Sequence, residues 1–177
     1  MKPTAYDLLE RVRQQKPVVH HLTNWVTIYD CAQVVKTLGA SPVMAHAREE
    51  AAEMAQIASA LVLNIGTLTI ELVEAMKLAA RSANQKGIPV ILDACGAGAT
   101  ALRDRKSLEL LNEARIDVIK GNASEVARLS GESVKTRGVD ATDPDSVQQP
   151  HAVFGVRQHC PGRAGVAGSG HRLQPGG

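Results

Sequence analysis

The chain has 177 residues, 44% of them hydrophobic and 21% charged, with a net charge of +2. That length supports one full core or part of a larger one, the composition is globular rather than disordered, and the charge is too small to argue for nucleic acid or an anionic membrane surface. Aromatic residues make up only 2%, so Ala, Leu, Val and Ile must build the core, and a base-stacking surface is not expected.

In chain order, Thr4 with Asp7 three residues on forms a capping box, and Leu8, Leu9 and Val12 supply a helical apolar stripe. Pro17 ends that helix, and Val18 to Leu22 reads as a short strand. A polar loop, Thr23 to Thr27, carries two large apolar residues, Trp25 and Val26. The next helix uses Ile28, Cys31, Val34, Val35 and Leu38, with Gly39 as its C-terminal cap. Ser41 to Met44 is a brief extended segment, and Ala47 to Ser59 is helical with Ala51, Met54, Ala55 and Ala58 inward. Leu61 to Ile65 is a nearly continuous apolar run, as expected of a strand covered on both faces. Thr69 caps a long helix that Gly87 closes.

A buried strand then ends at Asp93 and is followed by the glycine turn Gly96-Ala97-Gly98. A carboxylate at a strand end, beside a turn that offers backbone N–H groups, suits a phosphate or metal–phosphate ligand. The bland alternative is an ordinary tight strand-to-helix connection. A helical stretch runs on to about Ala114, Asp117 to Lys120 reads as a strand, and a short helix follows, ending near Gly131. Strands alternating with helices predict an α/β fold with a largely parallel sheet. Ligands bind outside the C-terminal strand ends of such sheets, where Asn64, Asp93 and Lys120 fall.

The three cysteines, Cys31, Cys95 and Cys160, are widely spaced and form no CxxC. They suggest neither a zinc site nor a disulfide framework, and they suit a reducing cytosol. No apolar leader and no membrane-length stretch is read in the chain, so a soluble cytoplasmic protein is expected.

From about Ser146 onward the chemistry changes. Seven of the 15 glycines and three of the eight prolines lie there, after the last lysine at Lys135 and the last acidic residue at Asp145. The expected division is therefore an α/β unit over 1–145 and a Gly/Pro/Arg-rich tail over 146–177. The tail reads either as a flexible basic arm or, preferably, as a departure from the proper reading frame.

The pieces Thr23-Asn24-Trp25-Val26-Thr27, Leu38 to His46, Leu63-Asn-Ile-Gly-Thr-Leu68, Asp93 to Thr100 and Lys120-Gly-Asn-Ala-Ser-Glu125 resemble hydroxyethylthiazole kinase. They stand in the family's order and approximate spacing, over residues 1 to about 143. The resemblance implies a ribokinase-like three-layer fold, incomplete at its C-terminus, and ATP-dependent phosphorylation of a thiazole's primary alcohol in thiamine salvage. It also implies Mg²⁺ and a homotrimer with sites between subunits. Carried over by motif, Asn24, Val26, Met44 and Gly66 match thiazole-contacting positions, and an apolar slot with a polarizable thioether suits a small heteroaromatic ring. Lys120 matches a nucleotide-contacting position where the family often has arginine, and Asn122 either braces the loop or caps the next helix. Asp93 and Glu125 match acidic residues near the Mg²⁺–phosphate site. His20, His21 and His46 receive no role.

Two departures stand out. Ala94-Cys95 replaces the family's Pro-Val, which loosens the turn. The family's later strand pair and its Gly-x-Gly-Cys catalytic turn are not found. Gly168-Ser169-Gly170-His171 is only superficially similar, so no catalytic residue is assigned and the chain is expected to lack useful turnover. The rival readings are a methyltransferase, whose glycine spacing after the acid is wrong here, another ribokinase-like small-molecule kinase, and a catalytically inactive fragment that exposes a sheet edge.

Overall fold

The computed structural model describes residues 3–129 and 152–155. Within them, α1 (Ala5–Gln15), β1 (Val18–Leu22), α2 (Ile28–Thr37), β2 (Ser41–Val43), α3 (Arg48–Ile57) and β3 (Ala60–Asn64) form the first half. Then come α4 (Ile70–Lys86), β4 (Val90–Asp93), α5 (Ala101–Glu113), β5 (Val118–Gly121), α6 (Ala123–Leu129) and β6 (Ala152–Gly155). The helices start and stop where the sequence signals do. Thr4 and Asp7 complete the capping box of α1, Thr69 accepts from the Leu72 amide at the start of α4, and Gly87 closes that helix at φ 81°.

The six strands lie in the order β2-β1-β3-β4-β5-β6, all parallel except β6, which runs antiparallel to β5. Right-handed crossovers place α2 on one face and α3, α4 and α5 on the other. The core fills the second face, where Leu61, Leu63, Val90 and Leu92 of the strands meet Ala51, Ala55, Val73, Met76 and Ala80 of the helices. The alternate row Val62, Ile91 and Val118, which share one register, is only half-buried. Strand residues alternate between faces, so Asn64, Asp93 and Lys120 project toward this half-covered side with that row.

Three points differ from the sequence reading. Neither α1 nor α2 contains a buried residue, and Leu8, Val34 and Leu38 of their apolar stripes are exposed. Periodicity marked both helices correctly, but it does not say what covers the stripe. Likewise β3 is covered fully on one face rather than on both. The strand β6 falls in the stretch read as a Gly/Pro/Arg-rich tail, where no strand was assigned: Ala152 pairs with Gly121 and Gly155 with Val118. Four residues between glycine- and proline-rich neighbours are too few to show a period. The boundary near residue 145, the end of the helix near Gly131, and Gly168-Ser169-Gly170-His171 lie outside the described residues. Among the described residues no helix is long and apolar enough to cross a membrane.

On the core side, α4 and α5 are joined by a buried cation. Lys77, 7% exposed, donates to Glu74 at 2.9 Å and Glu109 at 2.8 Å, and lies 3.1 Å from Glu113. Arg81 also pairs with Glu113. Hydrogen bonds from Lys106 and then Lys77 pull the Glu109 carboxyl down to about 2. Because that pKa is depressed in the folded state, the stability it contributes is present above about 4.5 and lost as pH falls toward about 2. Replacing Lys77 with methionine should cost about 2 kcal/mol at neutral pH. Urea melts at pH 7 and pH 3 should also show a smaller acid loss in that variant than in the parent.

Candidate active site

The C-terminal ends of β1, β3, β4 and β5 carry two clusters of polar side chains. The first is organised by two asparagines. Asn24, which follows β1 and Thr23, is buried, and its Oδ1 accepts from the amides of Val26 and Thr27 at 3.0 Å each and from the Thr27 hydroxyl at 3.2 Å. Its Nδ2 donates to Asn64 Oδ1 at 3.0 Å. The same Asn64 oxygen accepts from the Gly66 amide at 2.8 Å. A Cβ at Gly66 would stand 3.0 Å from that oxygen and 3.1 Å from Asn24 Cβ, so any side chain there would push the two asparagines aside.

His46, which sequence reading left without a role, links this loop to β2. A single neutral tautomer satisfies it: Nδ1–H donates to the Met44 carbonyl at 3.0 Å, and Nε2 accepts the Thr23 amide at 3.0 Å. Its ring lies 4.8 Å from that of Trp25, and the Trp25 amide donates to the Thr67 hydroxyl at 3.0 Å. Asn24, Met44 and Gly66 are thus tied into one assembly, while Val26 stands 80% exposed at its rim. A cleft of about 440 Å³ opens beside Trp25 and His46, lined also by Arg48, Glu49, Thr69 and Glu71. It holds none of the four residues matched to thiazole contacts.

The second cluster is organised by carboxylates. Asn64, Asp93 and Lys120 stand side by side in register across β3, β4 and β5. Lys120 Nζ donates to Asp93 Oδ2 at 2.8 Å. Burial pulls the Lys120 ammonium down, but the hydrogen bond and charge of Asp93, with Glu125 behind it, outweigh this and raise its pKa, so it stays charged. Glu125, 5% exposed, accepts from the Gly96 amide at 2.7 Å through Oε1 and from the Asn122 amide at 2.8 Å through Oε2. Burial raises its pKa, against those two bonds. Asn122 Oδ1 in turn accepts from the Glu125 amide at 2.9 Å and the Ser124 hydroxyl at 2.8 Å, which makes it the cap of α6.

The glycine turn corrects the expectation of donors waiting for a phosphate. Gly96 and Gly98 sit at φ 78° and 89°, a region that needs glycine, as the sequence suggested. Their amides, however, are engaged by the chain's own carboxylates: Gly96 by Glu125, and Gly98 by Asp104 Oδ1 at 2.6 Å. The helix that follows begins at Ala101 with Thr100 as its cap, beyond the turn itself. Cys95 is half-buried, and burial first, then the charges of Asp93 and Glu125, push its thiol up. That direction is opposite to the depression that activates a nucleophilic thiol.

Sequence reasoning missed Arg103, Asp104, Arg128 and His46. The first-turn acid of α5 and the histidine after Met44 were visible as residues, but nothing in their spacing pointed to their partners.

A largely parallel α/β sheet with polar groups gathered at its C-terminal strand ends is of the ribokinase-like class of fold. The sequence model of the hydroxyethylthiazole kinase family matches residues 9–159, and the chain belongs to that family. The match continues past residue 145 and includes β6. The chain is 55% identical over 148 residues to hydroxyethylthiazole kinase of Methanosarcina mazei, covering 81% of this chain and 57% of that protein. It is also 55% identical over 135 residues to the enzyme of that name from Thermoanaerobacter pseudethanolicus, covering 76% and 51%. A solved structure of hydroxyethylthiazole kinase protein from Pyrococcus horikoshii superposes with a TM-score of 0.67 at 49% identity, over 70% of this chain and 48% of that one. The chain spans about half the length of the curated relatives it matches.

Proposed function

We propose that this fold serves ATP-dependent phosphorylation of the primary alcohol of 4-methyl-5-(2-hydroxyethyl)thiazole, a step of thiamine salvage in the cytoplasm. The observation that carries the reading is the row Asn64, Asp93 and Lys120 across three parallel strands, with a thiazole-side turn at one end and a phosphate-side turn at the other. Family membership supplies the substrate class.

On the thiazole side, Asn24 and Asn64 spend their polar atoms holding the loop. They shape the slot and fix Gly66, leaving Met44 and Val26 to offer apolar contact. On the nucleotide side, Lys120 presents an ammonium that an arriving phosphate would share with Asp93. Asn122 orders the loop between them by capping α6.

Mg²⁺ fits this donor set only as an ion that keeps most of its shell from water and phosphate. Among the described residues no group of three potential ligands gathers as a cage. Asp93 has one oxygen turned to Lys120 and would be the direct carboxylate, while both Glu125 oxygens already accept amides, so Glu125 would act through water. The ion would supply charge neutralisation of the phosphates.

A homotrimer with sites between subunits belongs to the same proposal. Its support is the exposure of three large apolar side chains close together in the chain, Trp25, Val26 and Tyr29. Light scattering of the purified chain should give three times its 18.8 kDa mass, and a clean monomer would remove that part.

Calorimetric titration with the thiazole alcohol, then with ATP and Mg²⁺, is the direct test. Both should bind, and Lys120→Met should weaken ATP about tenfold while leaving the alcohol unchanged. Absence of alcohol binding by the parent chain would reject the reading. A coupled assay for thiazole-dependent ADP release should show no useful turnover from this chain, in which no catalytic turn is assigned, and normal turnover would overturn that expectation.

A further inference from the structure

Between the two clusters stands a cation that neither the motifs nor the comparisons assign. Arg103 lies in the first turn of α5 and is half-buried. Its Nη1 donates to the Ile65 carbonyl at 2.8 Å and the Cys95 carbonyl at 3.0 Å, and its Nη2 donates to the Gly66 carbonyl at 2.7 Å. Ile65 and Gly66 leave β3, and Cys95 leaves β4, so one side chain grips two turns. A planar guanidinium suits this because its donors are fixed in a fork, whereas an ammonium on a flexible stem cannot hold three carbonyls in set directions.

The grip is anchored from behind. Thr100 accepts the Arg103 amide at 3.3 Å as the cap of α5. The next residue, Asp104, accepts the Gly98 amide at 2.6 Å and pairs with Arg128 of α6 at 2.7 Å. The first turn of α5 therefore fastens the β3 turn, the glycine turn and α6 to one another.

We propose that Arg103 is a positioning residue that locks the Gly66 turn to the Cys95–Gly98 turn, so that the thiazole side and the phosphate side of the site hold one fixed geometry. What the two turns bind rests on the thiazole kinase reading; the lock itself does not. Its effect reaches an optical reporter. Thr67, next to Gly66, accepts the Trp25 amide at 3.0 Å, and Trp25 is the chain's single tryptophan.

The test compares the full chain with Arg103→Met, which keeps part of the stem and removes every donor, and with Arg103→Lys, which keeps the charge without the fork. Three quantities are read: amide hydrogen exchange at Gly66, Thr67, Gly96 and Gly98, the emission of Trp25, and calorimetric affinity for 4-methyl-5-(2-hydroxyethyl)thiazole. In Arg103→Met, exchange at both turns should accelerate together by about tenfold or more, while Leu63 and Leu92 in the strands keep their protection. Trp25 emission should shift, the alcohol should bind about tenfold more weakly, and lysine should restore part of each loss.

Exchange unchanged at both turns, loosening of one turn only, or uniform loosening through the whole sheet would each overturn the lock. So would alcohol binding that stays at the parent's level once the turns are loose. If the methionine variant does not fold, the lysine variant decides: paired loosening supports the lock, and parent-like exchange overturns it. If the parent chain does not bind the alcohol, the substrate reading fails, and exchange with Trp25 emission alone judges Arg103.

Discussion

Replacing Glu125 with alanine should lower the unfolding free energy by about 3 kcal/mol, the largest loss expected from any single side chain at the site. The carboxylate is 5% exposed and accepts two backbone amides, Gly96 at 2.7 Å and Asn122 at 2.8 Å. Alanine leaves both donors without an acceptor. It also opens space against Gly121, whose Cβ position lies 3.0 Å from Oε2. Two charge-assisted bonds are stronger than two neutral ones, and losing one partner costs the desolvation of the other.

Glutamine separates the bonds from the charge. Its oxygen can accept one amide, but its NH₂ must then face the other, so Glu125→Gln should cost about half as much. The pH dependence gives a second check. Burial raises the Glu125 pKa above 4.5 in the folded state, so the fold binds that proton more tightly than the unfolded chain does. The group's favourable contribution is therefore complete below about 4.5 and is withdrawn as pH rises through the folded value. Chemical melts should therefore place parent and glutamine variant furthest apart at low pH and draw them together as pH rises through the folded value, because only the parent loses this contribution. Parallel curves would mean that the carboxylate is not buried as described.

Much of the scaffold was legible because each element carries its own punctuation. In α4, Thr69, a 3.6-residue apolar period and Gly87 coincide, and the helix begins and ends beside them. The row Asn64, Asp93 and Lys120 was legible for a different reason: parallel strands bring their C-terminal ends together whatever the register, and the register then places the three side by side. What was not legible are the contacts that spend the site's donors. Glu125 and Gly96 are separated by 29 residues, and Arg103 and Ile65 by 38. An acid at the start of a helix reads the same whether it faces water, a metal or an amide one element away. For that reason the glycine turn looked like an open phosphate cradle, although Glu125 and Asp104 fill it.

The apolar stripes of α1 and α2 carry a related lesson. An apolar stripe shows that a face is suited to burial, and Leu8, Val34 and Leu38 remain exposed among the described residues.

Asn24→Ala should cost about 2–3 kcal/mol and disorganise the thiazole side as a unit. The asparagine oxygen accepts from the Val26 amide, the Thr27 amide and the Thr27 hydroxyl, and the nitrogen donates to Asn64. Alanine therefore strips three donors of their acceptor and leaves Asn64 with the Gly66 amide alone. Asn24→Asp is the sharper variant. It keeps an acceptor for Val26 and Thr27, but it sets a carboxylate oxygen against Asn64 Oδ1 where an NH₂ now stands, 3.0 Å away. Repulsion there should be relieved by rotation of Asn64, which turns its own NH₂ to the carboxylate and takes its oxygen off the Gly66 amide. Aspartate should thus preserve most of the stability that alanine loses, yet accelerate exchange at Gly66 and weaken thiazole-alcohol binding. Alanine and aspartate behaving alike in both stability and exchange would show that the loop is held by packing and not by these four bonds.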